Sequence, residues 1–323
     1  MRKENYTFSK QEIEILKQIA NGNNALTQIR EKLSMTPSLL SHYLKKLEGK
    51  YLIKTQHESS FDRSISSSRK SIVFQNTKHS LILKELLTRY SHIKWESVLR
   101  GSGIDVLFQI LNDSTNIKEN ISAVTFWRYS RNFMALGIIV DTYEKLQINE
   151  RFSLLKDFLI EYQKFIINSI TSSITDKVTM LWQKDFECLI RVPKTTQVTE
   201  KGFTKTATSR FQDFGIQLTS DFDVYFYSKR RTAIILEDVI LHTLLIEKRN
   251  VRYVTYSLLL LKKEQKRVNK EYLLTEATWY DLNLEVTAML EFLRTRGTRT
   301  GTEFPTWNEF ANKLKEYQME TVA

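Results

Sequence analysis

A chain of 323 residues with only 9 glycines and 3 prolines has few places to stop a helix. Those two residues penalise a helix interior most, by about 1 and 3 kcal/mol relative to alanine. Their scarcity predicts a helix-rich fold and excludes Gly-rich linkers, collagen-like repeats and long Pro-rich disorder. With 41% hydrophobic and 26% charged residues the composition is that of an ordinary globular protein. One hydrophobic core seldom grows beyond about 250–300 residues, so two or three domains are expected. The longest apolar run, residues 133–140, falls far short of the roughly 20 residues of a membrane helix. The start, Met1-Arg-Lys-Glu-Asn-Tyr6, is charged and lacks the apolar stretch of a secretory leader. The single cysteine, Cys188, permits no internal disulfide and no cysteine-based zinc site. A cytoplasmic setting with no membrane partner is the expectation by elimination.

The net charge of +11 is unevenly spread. Residues 1–100 hold 18 Lys/Arg against 9 Asp/Glu, whereas the other 223 hold 30 against 28. A basic surplus confined to one region is the electrostatic footprint of a polyanion binder, provided the charges fall on a scaffold that presents them.

The first hundred residues supply such a scaffold. Ser9-Lys-Gln-Glu12 is a capping box that opens a helix with Ile13, Leu16, Ile19 and Ala20 on one face. Asn21-Gly-Asn-Asn24 ends it, and a second helix places Leu26, Ile29 and Leu33 inward. Thr36 then caps a third helix, with Pro37 at its first position and Leu40, Leu44 and Leu47 on one stripe. Its opposite face carries Ser38, Ser41, His42, Lys45 and Lys46. Residues 51–56 and 70–75 read as two strands around a polar tip. Helix, helix, turn, helix and hairpin in that order describe a winged helix-turn-helix.

The stretch Leu40-Ser-His-Tyr-Leu-Lys-Lys-Leu-Glu-Gly-Lys-Tyr-Leu-Ile53 resembles the recognition helix and first wing strand of MarR- and ArsR-type regulators. Asp62-Arg63 resembles the acidic–Arg pair at the tip of MarR wings. The resemblance implies that the third helix enters the major groove of double-stranded DNA and that Arg63 reaches a neighbouring groove. Thr36, Ser38, Ser41 and His42 would then meet base edges, and Lys45, Lys46, Arg69 and Lys70 would hold phosphates. Winged helices also serve as protein-interaction modules, so that reading stands beside the DNA one.

A second, less basic copy follows. Sliding by 86 residues lays Phe126 on Leu40 and Phe133 on Leu47, with Ser122 as cap and residues 138–140 and 145–149 as a short hairpin. Arg128 and Arg131 fall where His42 and Lys45 fall, as candidate phosphate contacts on a helix aromatic enough to pack against a neighbour instead. Leu154, Phe158, Tyr162 and Phe165 mark an amphipathic helix leading out, suited to core packing first and to dimerisation second.

From about residue 172 strands and helices mix. Residues 178–182, 187–192, 223–228, 233–235 and 251–261 read as strands, and residues 237–246 and 270–296 as helices. A last helix begins after Thr306. Ser220-Asp-Phe-Asp-Val224 resembles the metal-binding strand of nucleotidyltransferases, which makes Asp221 and Asp223, with Glu237 as a guessed third carboxylate, the one enzyme-like signal. The Gly-Ser pair that such enzymes need upstream is absent, and a short Asp-x-Asp match is a common coincidence. Phe203-Thr-Lys-Thr-Ala-Thr-Ser-Arg-Phe-Gln-Asp-Phe-Gly-Ile216 is faintly similar to AbiEi-type antitoxins, in which a winged helix joins a larger C-terminal domain. His42, His57, His79, His92 and His242 show no metal-ligand spacing. His242 reads as a hydrogen-bonded core histidine, and Cys188 as a buried small side chain.

The expected fold is thus helix-rich α+β, with tandem winged helix-turn-helix domains at residues 1–93 and 94–171 and an α/β domain at 172–323. The expected function is promoter occupancy by a homodimeric transcription regulator with neither cofactor nor catalysis. A protein partner or small-molecule effector would act at the C-terminal domain.

Overall fold

The computed structural model describes residues 6–58, 69–112, 121–143, 145–228, 233–297 and 303–317, without the side chains of His57, Glu58 and Arg69. The chain divides into two compact units, Met1–Ile166 and Ile167–Ala323.

The first unit opens with α1 (Lys10–Ala20), α2 (Leu26–Leu33) and α3 (Pro37–Gly49), followed by β1 (Ile53–Glu58) and β2 (Arg69–Phe74). Both halves of the capping box at α1 form: Glu12 N–H donates to Ser9 Oγ (3.2 Å) and Ser9 N–H to Glu12 Oε2 (2.7 Å). Thr36 Oγ1 accepts from Leu39 N–H (3.3 Å), and Pro37 follows it where no amide donor is needed. Ile13, Leu16, Ile29, Leu40, Leu44 and Leu47 are buried, so one apolar stripe from each helix builds the core. The strands pair antiparallel from Ile53↔Phe74 to Glu58↔Arg69. The chain between α1 and α2 joins their edge through an Ala25↔Ser71 bridge and an Ile72 N–H bond to Asn24 C=O.

The rest of the unit is α4 (Lys78–Arg89), α5 (Trp95–Val98), α6 (Ser102–Leu111), α7 (Ala123–Ala135), β3 (Ile139–Asp141) and β4 (Leu146–Ile148). It closes with α8 (Ser153–Ser172), which runs through the division between the units. Adding 86 carries the first segment onto this one, from the cap to the hairpin. Ser122 Oγ accepts from Thr125 N–H as Thr36 does from Leu39. Ile138 N–H bonds to Phe133 C=O (2.9 Å) as Leu52 N–H does to Leu47 C=O (3.1 Å). The strands then start at Ile139 and Ile53. Phe158 and Tyr162 of α8 are buried within the single chain, against Phe8, with Tyr162 Oη donating to Tyr6 C=O (2.9 Å).

The second unit is built on an antiparallel sheet in the order β5 (Thr179–Lys184), β6 (Glu187–Pro193), β8 (Phe222–Tyr227), β7 (Phe203–Lys205). A 3-10 helix, Ala207–Phe214, leads from β7 towards β8. Five helices follow: α9 (Leu236–Ile246), α10 (Val251–Lys263), α11 (Lys270–Trp279), α12 (Asn283–Thr295) and α13 (Trp307–Glu316). Leu189, Val224 and Phe226 of the sheet share one core with Leu244, Leu258, Met289 and Phe310 of the helices.

Four expectations are corrected here. Residues 251–261 form a helix rather than a strand. Asn250 Oδ1 accepts from Arg252 N–H (2.9 Å), and Val254, Leu258 and Leu261 bury at helical spacing despite a β-prone composition. Residues 233–235 form no strand. The helix expected over 270–296 is two, because Asp281 adopts a left-handed conformation (φ 55°) between α11 and α12. The sheet is therefore antiparallel with its helices mostly following it, an α+β arrangement rather than alternating α/β. Thr306 caps α13 as expected, within a capping box that Glu309 completes.

Candidate nucleic-acid interface

Helix α3 is held by three layers of its surroundings: the Thr36 cap at its start, its Leu40/Leu44/Leu47 stripe, and the hairpin at its end. What remains for solvent is the opposite side, where Thr36, Ser38, Ser41, His42, Lys45 and Lys46 are all exposed. Lys46 Nζ stands 5.7 Å from the Tyr43 ring centroid, so its ammonium leans along the helix surface. Lys54 on β1 and Lys70 on β2 are exposed as well. Lys54 adds a cation that attention to the helix alone passes over; it is marked only by lying one residue into a wing strand. Arg63 lies outside the described residues, as does the side chain of Arg69.

Lys50 behaves differently from its neighbours on α3. Its ammonium is buried against Glu12 Oε1 (2.6 Å) and Thr7 C=O (2.7 Å), above the Phe8 ring. Burial lowers its pKa, with Glu12 pulling the other way. One positive charge in the basic surplus is thus internal and offers nothing to a polyanion.

Arg128 and Arg131 are exposed on α7, which also leaves Val124 79% and Trp127 54% exposed. Its hairpin carries the exposed Asp141 and is flanked by the exposed Lys145, whereas the first wing carries Lys54 and Lys70.

In the second unit the enzyme-like carboxylates are dispersed. Asp223 is buried and held by Lys205 Nζ at 2.7 Å, whereas Asp221 precedes the strand and is exposed. Glu237 lies elsewhere, accepting from Asn269 N–H (2.6 Å). Among the described residues no group of three or more His, Cys, Asp or Glu side chains could hold a metal ion. His242 is the core histidine that the sequence implied: Nδ1 meets Thr206 Oγ1 (2.9 Å), Nε2 meets Tyr280 Oη (3.0 Å), and the ring stacks on Phe226. Cys188 is buried, and its thiol is pushed up to about 12 by burial and by Glu187, which leaves almost no thiolate at neutral pH. Among the described residues no helix is long and apolar enough to cross a membrane.

The three helices, the paired wing and a solvent-facing polar third helix define a winged helix-turn-helix of the DNA-binding class. Residues 9–55 match the family model of the arsR family of bacterial regulatory proteins. Residues 200–319 match a second family model, HVO_2833_C, whose description is only "C-terminal". No curated protein and no solved structure matches the chain. The N-terminus is a regulator-type winged helix-turn-helix.

Proposed function

We propose that the protein is a sequence-specific transcription regulator that occupies promoter DNA through α3. The observation carrying this reading is the division of α3 into a buried leucine stripe and a polar, basic face left exposed by the described residues. In the major groove the short side chains of Ser38 and Ser41, with His42, meet base edges, and Lys45, Lys46 and Lys70 neutralise phosphates. Arg63 and Arg69, expected on the same wing from the sequence, would add to these contacts. The segment around α7 is a second winged helix, supported by the bond-for-bond correspondence at an offset of 86 residues. Its Arg128 and Arg131 sit beside exposed Val124 and Trp127, a surface better suited to another protein face than to a groove. We take the working form to be a homodimer reading two half-sites.

Fluorescence anisotropy tests the reading, with the gene's own upstream duplex, a scrambled duplex and a salt titration. Tight binding should favour the native duplex and fall linearly in log–log salt with a slope of about −0.9 per phosphate contact. Equal, weak binding to both duplexes would reduce α3 to a generic clamp. No binding at low salt would overturn the proposal in favour of a protein-interaction module. Sedimentation of the free protein checks the dimer.

A further inference from the structure

The covered face of the second unit's sheet is apolar along Leu189, Val224 and Phe226 and then meets a cation. Arg191 pairs across from Val224 on that same face. Its guanidinium lies 4.7 Å from the Phe222 ring centroid, and its buried Nε–H has no acceptor among the described residues. A guanidinium short of acceptors is costly, and an anion at its terminal nitrogens would offset the cost of the charge.

Beside Arg191 opens a cavity of about 300 Å³ whose wall includes Thr208, Ser220, Asp221, Arg252 and Tyr253. An adjoining hollow of about 200 Å³ shares Thr208 and Ser220 and adds Lys194. Arg252 stands in the first turn of α10, where its Nε donates to Tyr256 Oη (3.1 Å), a bond that raises its pKa. Two guanidinium groups, 61 residues apart in sequence, therefore border one hollow at the electropositive start of a helix. Lys205, which lines the second hollow, is already neutralised by Asp223. In the larger cavity Arg191 and Arg252 meet a single carboxylate, Asp221, and Lys194 of the adjoining hollow adds a third cation, so the two hollows together carry a surplus of about two positive charges. Phe222, Leu218 and Ile246 give the same cavity an apolar wall.

We propose that this pocket binds a small organic phosphomonoester, its dianionic phosphate between Arg191 and Arg252 and its organic body against Phe222 and Leu218. A phosphomonoester carries about −1.5 to −2 charges at neutral pH, and a cavity of this size suits a compact molecule rather than a duplex. The proposal is independent of the DNA reading, since it concerns direct binding to the second unit.

Calorimetry of the full chain with phenyl phosphate and inorganic phosphate as probes is the test. Phenyl phosphate should bind once per chain, at least about tenfold tighter than inorganic phosphate because its ring buries apolar surface. Arg191→Gln and Arg252→Gln should each weaken it about tenfold or more. Arg252 is exposed, so its variant remains informative if loss of Arg191 disturbs the fold. Asp221→Asn should tighten binding severalfold by removing the opposing charge. The proposal is overturned by the absence of saturable binding below about 10 mM, by equal affinity for the two probes, or by wild-type affinity in both arginine variants. A loss of duplex binding in Arg191→Gln with phenyl phosphate binding intact would also overturn it, because the arginine would then be serving a nucleic-acid backbone.

Discussion

Helices α3 and α7 are each 13 residues long, each opens on a hydroxyl cap, and each feeds an antiparallel hairpin through the same backbone bond. Their solvent faces nevertheless differ in kind. α3 presents Ser41, His42, Lys45 and Lys46, whereas α7 adds Val124 and Trp127 to its two arginines. The hairpins follow suit, six-residue strands carrying Lys54 and Lys70 against three-residue strands carrying Asp141. Two helix–hairpin segments of matching layout thus carry different surface chemistries, so any difference in what they bind would lie in the faces rather than in the frame. The position after each helix also differs: Lys50 is bolted to buried Glu12, while its counterpart Leu136 needs no partner.

The largest effect should come from that bolt. Glu12→Gln would strand a buried ammonium, at a cost of about 3–5 kcal/mol in urea unfolding. A Glu12→Leu/Lys50→Met double variant should recover part of the loss by converting the joint to the apolar kind found after α7, short of the capping-box bond that Ser9 N–H makes to Glu12 and of the bond that Lys50 makes to Thr7 C=O. A cost below about 1 kcal/mol for the single variant would show that the pair is not what anchors α3.

Next in size is the proposed DNA face of α3. His42→Ala should weaken binding to the native duplex by about 1–3 kcal/mol and relax its preference over the scrambled one. Lys45→Ala with Lys46→Ala should instead weaken both duplexes and reduce the salt slope by about two. Arg128→Ala with Arg131→Ala should leave the slope alone. If the α7 pair lowers it as much as the α3 pair, the contrast between the two faces collapses.

Much of this contrast was legible in sequence because it is local. Ser9–Glu12, Thr36-Pro37, Ser122 and Thr306 act within one turn, so local sequence identifies them as caps, and all four bond as expected. What escaped depends on distant partners. Residues 251–261 are rich in Val, Tyr and Leu and fit a strand equally well until the core chooses which faces to bury. The break at Asp281 has neither glycine nor proline to announce it; buried Tyr280 and Leu282 impose it from both sides. Lys50 counts as a surface charge until Glu12, 38 residues earlier, takes it inward. The Arg191–Arg252 hollow has no motif, because a 3-10 helix, a strand and a helix meet to form it.

Caps give a smaller and symmetrical test. Thr36→Ala and Ser122→Ala each remove one side-chain acceptor from an exposed first turn and should each cost about 1 kcal/mol in stability. Equal losses would support a shared scaffold. A loss confined to Thr36 would mean that α7 is held by its packing and not by its start.

The smallest effect expected is a pH dependence at the joint after α3. His79 on α4 is buried there, meeting Lys50 C=O through Nε2 (3.0 Å) and stacking on Phe165. Burial lowers the imidazole pKa from its ordinary 6.5, opposed by the Lys50 carbonyl bond and by Glu161. Glu161 is itself engaged by Lys78 and Lys164. As pH falls below about 6.5 the unfolded chain takes up a proton that the folded chain resists, so stability declines from that point down to the lowered folded pKa. Glu161, lowered chiefly by its lysine bonds against the pull of burial, loses its contribution only as pH falls below about 4.5. The interval between is therefore where His79 shows. Unfolding free energy followed from pH 7 to pH 5 should fall in the wild type and stay flatter in His79→Gln. Parallel curves would assign the acid sensitivity to another group and remove titration from the differences between the two joints.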